Sequence, residues 1–121
     1  MGMKDFFSND FETKDNHENG LLRTHYYRAR YDNVKETILR LAKEKGLSVR
    51  SVDDTHKEIY LQSNGYHLII VLVNTTPAET AVDMKITTYQ LIGMKKGIKI
   101  ISEYYSQLDK KLTFKGVGLY R

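Results

Sequence analysis

Cysteine and tryptophan are absent from the 121 residues, and proline occurs once, at Pro77. Without cysteine there is no disulfide framework, no thiol nucleophile and no zinc site built on thiolates, and a reducing compartment is the natural setting. Long apolar runs are missing as well. The longest, Leu68 to Val73, is far short of the roughly 20 residues that a membrane-spanning helix needs. The opening MGMKDFFSNDFETKD has no basic start followed by an apolar stretch, so no targeting segment is expected. These absences predict a soluble cytoplasmic chain with no membrane partner.

What is present suffices for one modest core: 40% of residues are hydrophobic, and the length is that of a single domain. Charge is uneven. Residues 1–20 carry Asp5, Asp10, Glu12, Asp15 and Glu18 against Lys4 and Lys14, a balance of −3, which leaves +7 for residues 21–121. The first twenty residues show no period of 2 or 3.6 and are rich in Asn, Asp and Glu, which predicts a flexible acidic N-terminal arm (1–20) ahead of one domain (21–121). A basic domain could meet an anionic partner with this arm as competitor. Seven charges spread over about a hundred residues, however, fall short of the dense stripe of a nucleic-acid binder.

Along the domain, LLRTHYYRAR alternates as a strand, with Leu22, Thr24, Tyr26 and Arg28 on one face and Arg23, His25, Tyr27 and Ala29 on the other; neither face is cleanly apolar, which suggests an edge strand or one whose tyrosines pack while their hydroxyls reach water. A helix is predicted over 33–45: Asn33 and Glu36 have capping-box spacing, Val34, Ile38, Leu41 and Ala42 form a stripe, and Gly46 follows as the stop. LSVRSVDD, EIYLQS, YHLIIVLVN and AVDMKITTY read as four strands, with tight turns at DDTHK and NG and a link at 74–79 around Pro77. Ile98, Ile101, Tyr105, Leu108 and Leu112 then recur at helical spacing, and TFKGVGLYR is a tail or short extra strand. The order β-α-β-β-β-β-α predicts an α+β two-layer sandwich, a five-stranded mainly antiparallel sheet with two helices on one face.

This order, with the run "LSVRSVDDTHKEIYLQS" after a helix and glycine and the later "VDMKITTY", resembles the TATA-box-binding-protein-like topology in single copy. It also resembles a small uncharacterised bacterial protein family, over roughly residues 22–112. The resemblance implies the fold and no activity, and it carries over no functional residue.

The segment GMKKGIK, Gly93 to Lys99, looks like a phosphate loop but fails the pattern. Only three residues separate its glycines, and Ile100 stands where a hydroxyl would reach magnesium. Free amides at the helix start, with Lys95, Lys96, Gly97, Ile98 and Lys99, still form a candidate anion site. Tyr26 and Tyr27 among Arg23, Arg28 and Arg30 form a candidate nucleic-acid surface, since aromatic and guanidinium groups stack bases and hold phosphates. The competing reading packs those tyrosines and lets the arginines reach water.

No two of His17, His25, His56 and His67 have metal-ligand spacing, so neither a metal nor any other cofactor is expected. No serine sits in a glycine-flanked elbow. Asp53 and Asp54 lead into a turn, and Asp83 falls on the wet face of its strand. The sequence therefore predicts a non-enzymatic interaction or binding module with a protein partner, a homodimer through a strand edge among the options. Nucleic acid on the sheet face, or a small ligand between helix and sheet, are the alternatives.

Overall fold

The computed structural model of the chain describes residues 10–89 and 94–119, the side chains of 94 and 95 excepted. Among these residues, seven strands and two α-helices follow in the order β1 (Asp10–Glu12), a 3₁₀ turn (Gly20–Leu22), β2 (His25–Tyr27), α1 (Tyr31–Glu44), β3 (Ser48–Asp53), β4 (Glu58–Gln62), β5 (Tyr66–Thr76), β6 (Glu79–Thr88), α2 (Met94–Lys111) and β7 (Phe114–Val117). The strands form one antiparallel sheet in the order β3-β4-β5-β6-β2-β7, with β1 also paired to β6. Among the described residues, no helix is long and apolar enough to cross a membrane.

The meander β3 to β6 follows from period-2 alternation. Ile59 and Leu61 on β4, Leu68, Ile70 and Leu72 on β5, and Val82, Met84 and Ile86 on β6 are all buried, and the register lines them up across one face: Ile59–Ile70–Met84, Leu61–Leu68–Ile86 and Leu72–Val82. Against that face lie Val34, Ile38, Leu41 and Ala42 of α1 and Ile101, Tyr105 and Leu108 of α2, within a single buried cluster. Each such side chain contributes roughly 1.5–3 kcal/mol on leaving water. The strands β5 and β6 run on to a two-residue turn at Pro77–Ala78, because Thr76 already pairs with Glu79.

The helix α1 buries positions 34, 37, 38, 41 and 42, the i, i+3, i+4, i+7, i+8 stripe of an amphipathic helix. It starts two residues before the predicted boundary, and no capping box forms. Arg30 is the N-cap with no side-chain hydrogen bond, and Asn33 lies inside the helix with its carbonyl accepting from the Thr37 hydroxyl. Tertiary contacts set the start: the Tyr31 hydroxyl donates to Asp54 at 2.6 Å, and Lys35 and Lys57 both lie over its ring. At the other end Gly46 adopts φ +74°, and the Leu47 amide closes on the Ala42 carbonyl at 2.9 Å, a left-handed stop as expected.

Two differences from the sequence reading matter for function. Among the described residues the sheet has seven strands rather than five, because short β1 and β7 add to it. And the arm does not extend to residue 20. Asp10, Phe11 and Glu12 pair with Thr87, Ile86 and Lys85, and Phe11 packs against the core. Phe6 and Phe7 lie outside the described residues. The periodicity of β1 was invisible because three residues hold barely one alternation; only the partner strand makes them a strand.

β1 and β2 occupy one side of β6 end to end, interrupted by residues 13–24. At the break, Thr13 supplies what a continuous strand would have. Its amide donates to the Met84 carbonyl, and its hydroxyl oxygen accepts from the Met84 amide, both at 2.9 Å. The hydroxyls of Thr13 and Thr24 both donate to one oxygen of Asp83, at 2.7 and 2.6 Å, and so tie the two ends of the excursion together. Asp83 is thus half-buried and bonded, not simply wet. The excursion carries its 3₁₀ turn to the flank of α2.

Candidate functional site around His25

That excursion walls a cavity of 430 Å³ between β2, β7 and α2, lined by Gly20, Leu21, His25, Ser102, Tyr105, Ser106, Asp109, Lys110 and Val117. Helical spacing places Ser102, Tyr105, Ser106 and Asp109 on one flank of α2. Strand alternation puts His25 and Tyr27 on the helix side of β2, and Tyr26 on the other.

His25 is 9% exposed and is held from three directions. Its Nδ1 lies 3.0 Å from Asp109 Oδ1. The same oxygen accepts from the Tyr27 hydroxyl at 2.6 Å, and Tyr27 is wholly buried. The Tyr105 ring stacks on the imidazole with centroids 3.6 Å apart and planes 5° from parallel, and the Tyr105 hydroxyl is fixed by donation to the Val82 carbonyl at 2.7 Å. A carboxylate can only accept, so Nδ1 carries the proton. Nε2 then bears the lone pair. It has no partner among the described residues and is not sealed from solvent.

Burial pushes the His25 pKa below its ordinary value, and the Asp109 hydrogen bond and charge offset this only in part, so the ring is neutral near pH 7. Tyr27 and Tyr105 are pushed up, chiefly by burial, and stay protonated as donors.

The residues singled out in the sequence are placed elsewhere. Tyr26 is 4% exposed and donates to Asp15, Tyr27 donates to Asp109, and the two rings lie on opposite faces of the sheet. Neither is presented for stacking. Arg23 donates to the His17 carbonyl at 2.8 Å, while Arg28 and Arg30 are exposed. The open sheet face, read from the register, carries Asp10, Glu12, Glu58 and Asp83 against Lys85, which disfavours phosphate.

Gly97 and Ile98 sit within the first turns of α2 rather than at its open end, because the helix already begins at Met94. Gly97 is buried for a packing reason: a Cβ there would lie 2.7 Å from the Phe11 ring. Lys96 and Lys99 are exposed, and the Lys95 side chain is outside the described residues.

A second cleft, of 510 Å³, opens beside the start of α1, where Arg30, Lys57 and Asn74 line it with Asp32. Lys57 donates to Asn74 at 2.9 Å within it, and Lys35, outside the cleft, pairs with Asp54 at 3.0 Å. At the nearby turn, Asp53 accepts from the Thr55 and His56 amides; its pKa is lowered by those bonds and that of His56 is raised by Asp53. Among the described residues, no group of three or more His, Asp or Glu side chains is placed to hold a metal.

No family model matches this chain, and a search of curated proteins finds no match. Function therefore rests on the geometry. The His25 cluster escaped the sequence reading because Asp109 lies 84 residues from it. The available signals were the shared face of His25 and Tyr27 and the polar flank of an otherwise apolar helix, and neither says which strand meets which helix.

Proposed function

We propose that this protein is an interaction module that assembles through the free edge of β3, with a second copy of itself as partner. The supporting observation is β3 itself. Among the described residues it ends the sheet, its side chains are exposed at Ser48 to Val52 and half-buried at Asp53, and Val49 and Val52 are 47% and 38% exposed. An unpaired edge offers a row of amides and carbonyls to another strand, and pairing it removes those valines from water.

Self-complementarity favours a second copy. Antiparallel pairing centred on Val52 sets Val52 opposite Val52 of the other copy and Ser51 opposite its Asp53 twice, as a two-fold axis requires. The register irregularity between Val49 and Ser51 bends the first part of the strand and leaves Ser51–Asp53 as the straight pairing stretch. A junction of this size buries less than the roughly 1,200 Å² of a stable interface, so association is weak and concentration-dependent.

Sedimentation equilibrium over a concentration series tests this. The wild type should shift towards dimer as concentration rises, and Val52→Lys, which charges the edge, should remain monomeric with unchanged circular dichroism. A wild type that stays monomeric throughout, or a Val52→Lys variant that dimerises equally, would remove the proposal.

A further inference from the structure

The cavity beside His25 has no part in edge pairing, and its chemistry differs in kind. A buried ring nitrogen ordinarily has a hydrogen-bond partner. Here Asp109 fixes the proton on Nδ1, Tyr27 fixes the carboxylate oxygen, and Tyr105 fixes the ring plane, while Nε2 has no partner among the described residues and His25 lines a cavity. That is pre-organisation of a lone pair. The cavity volume, 430 Å³, falls in the range of small-molecule sites. Leu21 and Val117, 54% and 37% exposed, give it apolar walls.

We propose that the cavity is a hydrolytic site for small uncharged esters, with His25 as general base and Asp109 as its positioning residue. Nε2 takes a proton from water as the water oxygen bonds to the ester carbonyl carbon. The tetrahedral intermediate then breaks its bond to the alkoxy oxygen, and the proton passes from Nε2 to that oxygen, so that ester and water become acid and alcohol. Asp109 stabilises the transient imidazolium through Nδ1–H. A base of this type works when neutral, and the burial that holds the His25 pKa low keeps it so at pH 7.

Among the described residues, the groups facing the imidazole are few. α2 contributes Asp109, Lys110 and Tyr105, and Tyr27 comes from β2 itself. The strand partners Val82 of β6 and Val117 of β7, and the Gly20–Leu22 turn, bring no charge.

The test is hydrolysis of p-nitrophenyl acetate and butyrate by the full chain. The expected rate exceeds that of free imidazole at equal concentration by at least about tenfold and rises with pH to a plateau, with its inflection below 6.5. Asp109→Asn, whose amide can hold the opposite tautomer, should lose about tenfold or more, and His25→Gln should fall to background.

A wild type no faster than imidazole, or a folded His25→Gln variant as fast as wild type, overturns the proposal. Should the variants fail to fold, imidazole ¹⁵N spectra of the wild type decide it: the expected form at pH 7.5 is Nδ1-protonated, and an Nε2-protonated ring ends the case for a base. Monomer or dimer state does not enter, so this result stands apart from the edge-strand test.

Discussion

Replacing Gly97 by alanine sets two effects of known size against each other. Inside a helix, Gly→Ala is worth about 1 kcal/mol in favour of the helix. In this structure the new Cβ would stand 2.7 Å from Phe11 Cδ2 and 3.0 Å from Cε2, while Ile86 Cγ2 at 3.7 Å is an ordinary contact. Overpacking of this kind costs about 1–3 kcal/mol. The Phe11 ring must therefore shift, and β1, three residues long, must shift with it. The expected net effect is a loss of about 1 kcal/mol, or about 4 °C in Tm for a domain of this size.

With Phe11→Ala in the background the obstacle is gone, and the same substitution should gain up to about 1 kcal/mol. Urea denaturation of the four proteins closes the cycle, with an expected coupling of about 1–3 kcal/mol. If Gly97→Ala stabilises the wild type as much as it stabilises the Phe11→Ala protein, β1 does not dock on α2 and the N-terminal contacts described above are wrong.

Deleting residues 1–20 removes Phe11 from the core and Thr13 from its bonds with Met84 and Asp83, and should cost more than about 2 kcal/mol in urea unfolding, where a free arm would cost nothing. Tyr27→Phe takes away a buried hydroxyl that donates to Asp109, and chemical denaturation should show a loss of about 1.5–3 kcal/mol, as for a hydrogen bond to a charged group. His25 binds protons less readily folded than unfolded, so its contribution is complete above its ordinary value of 6.5, declines as pH falls through 6.5, and levels off below the folded pKa. The slope is at most about 1.4 kcal/mol per pH unit. His56, raised by Asp53, acts in the opposite sense, so the check is the difference between wild type and His25→Gln in urea midpoint from pH 8 to pH 5. No difference in slope would show that His25 is as solvated folded as unfolded.

Much of this protein was written locally. The stripe Val34, Ile38, Leu41, Ala42 and the stop at Gly46 specify α1, and the spacing of Ile101, Tyr105 and Leu108 specifies α2. The alternation in β4, β5 and β6 decides which side of the sheet is buried. These signals survive without a partner because a residue's period depends only on its own backbone. The short strands, the true start of α1 and the end of the arm did not, because three or four residues carry too little period and their pairing energy comes from β6 and β2.

The site depended on tertiary structure altogether. His25, Tyr27, Asp109 and Tyr105 are unremarkable in the sequence, and a carboxylate 84 positions away becomes a hydrogen-bond partner only when the last turns of α2 cross β2. The same folding buried Tyr26 and Tyr27, which had looked like a binding surface. Their hydroxyls answer to carboxylates rather than to water, since a buried phenol must find an acceptor and only the assembled fold decides which one.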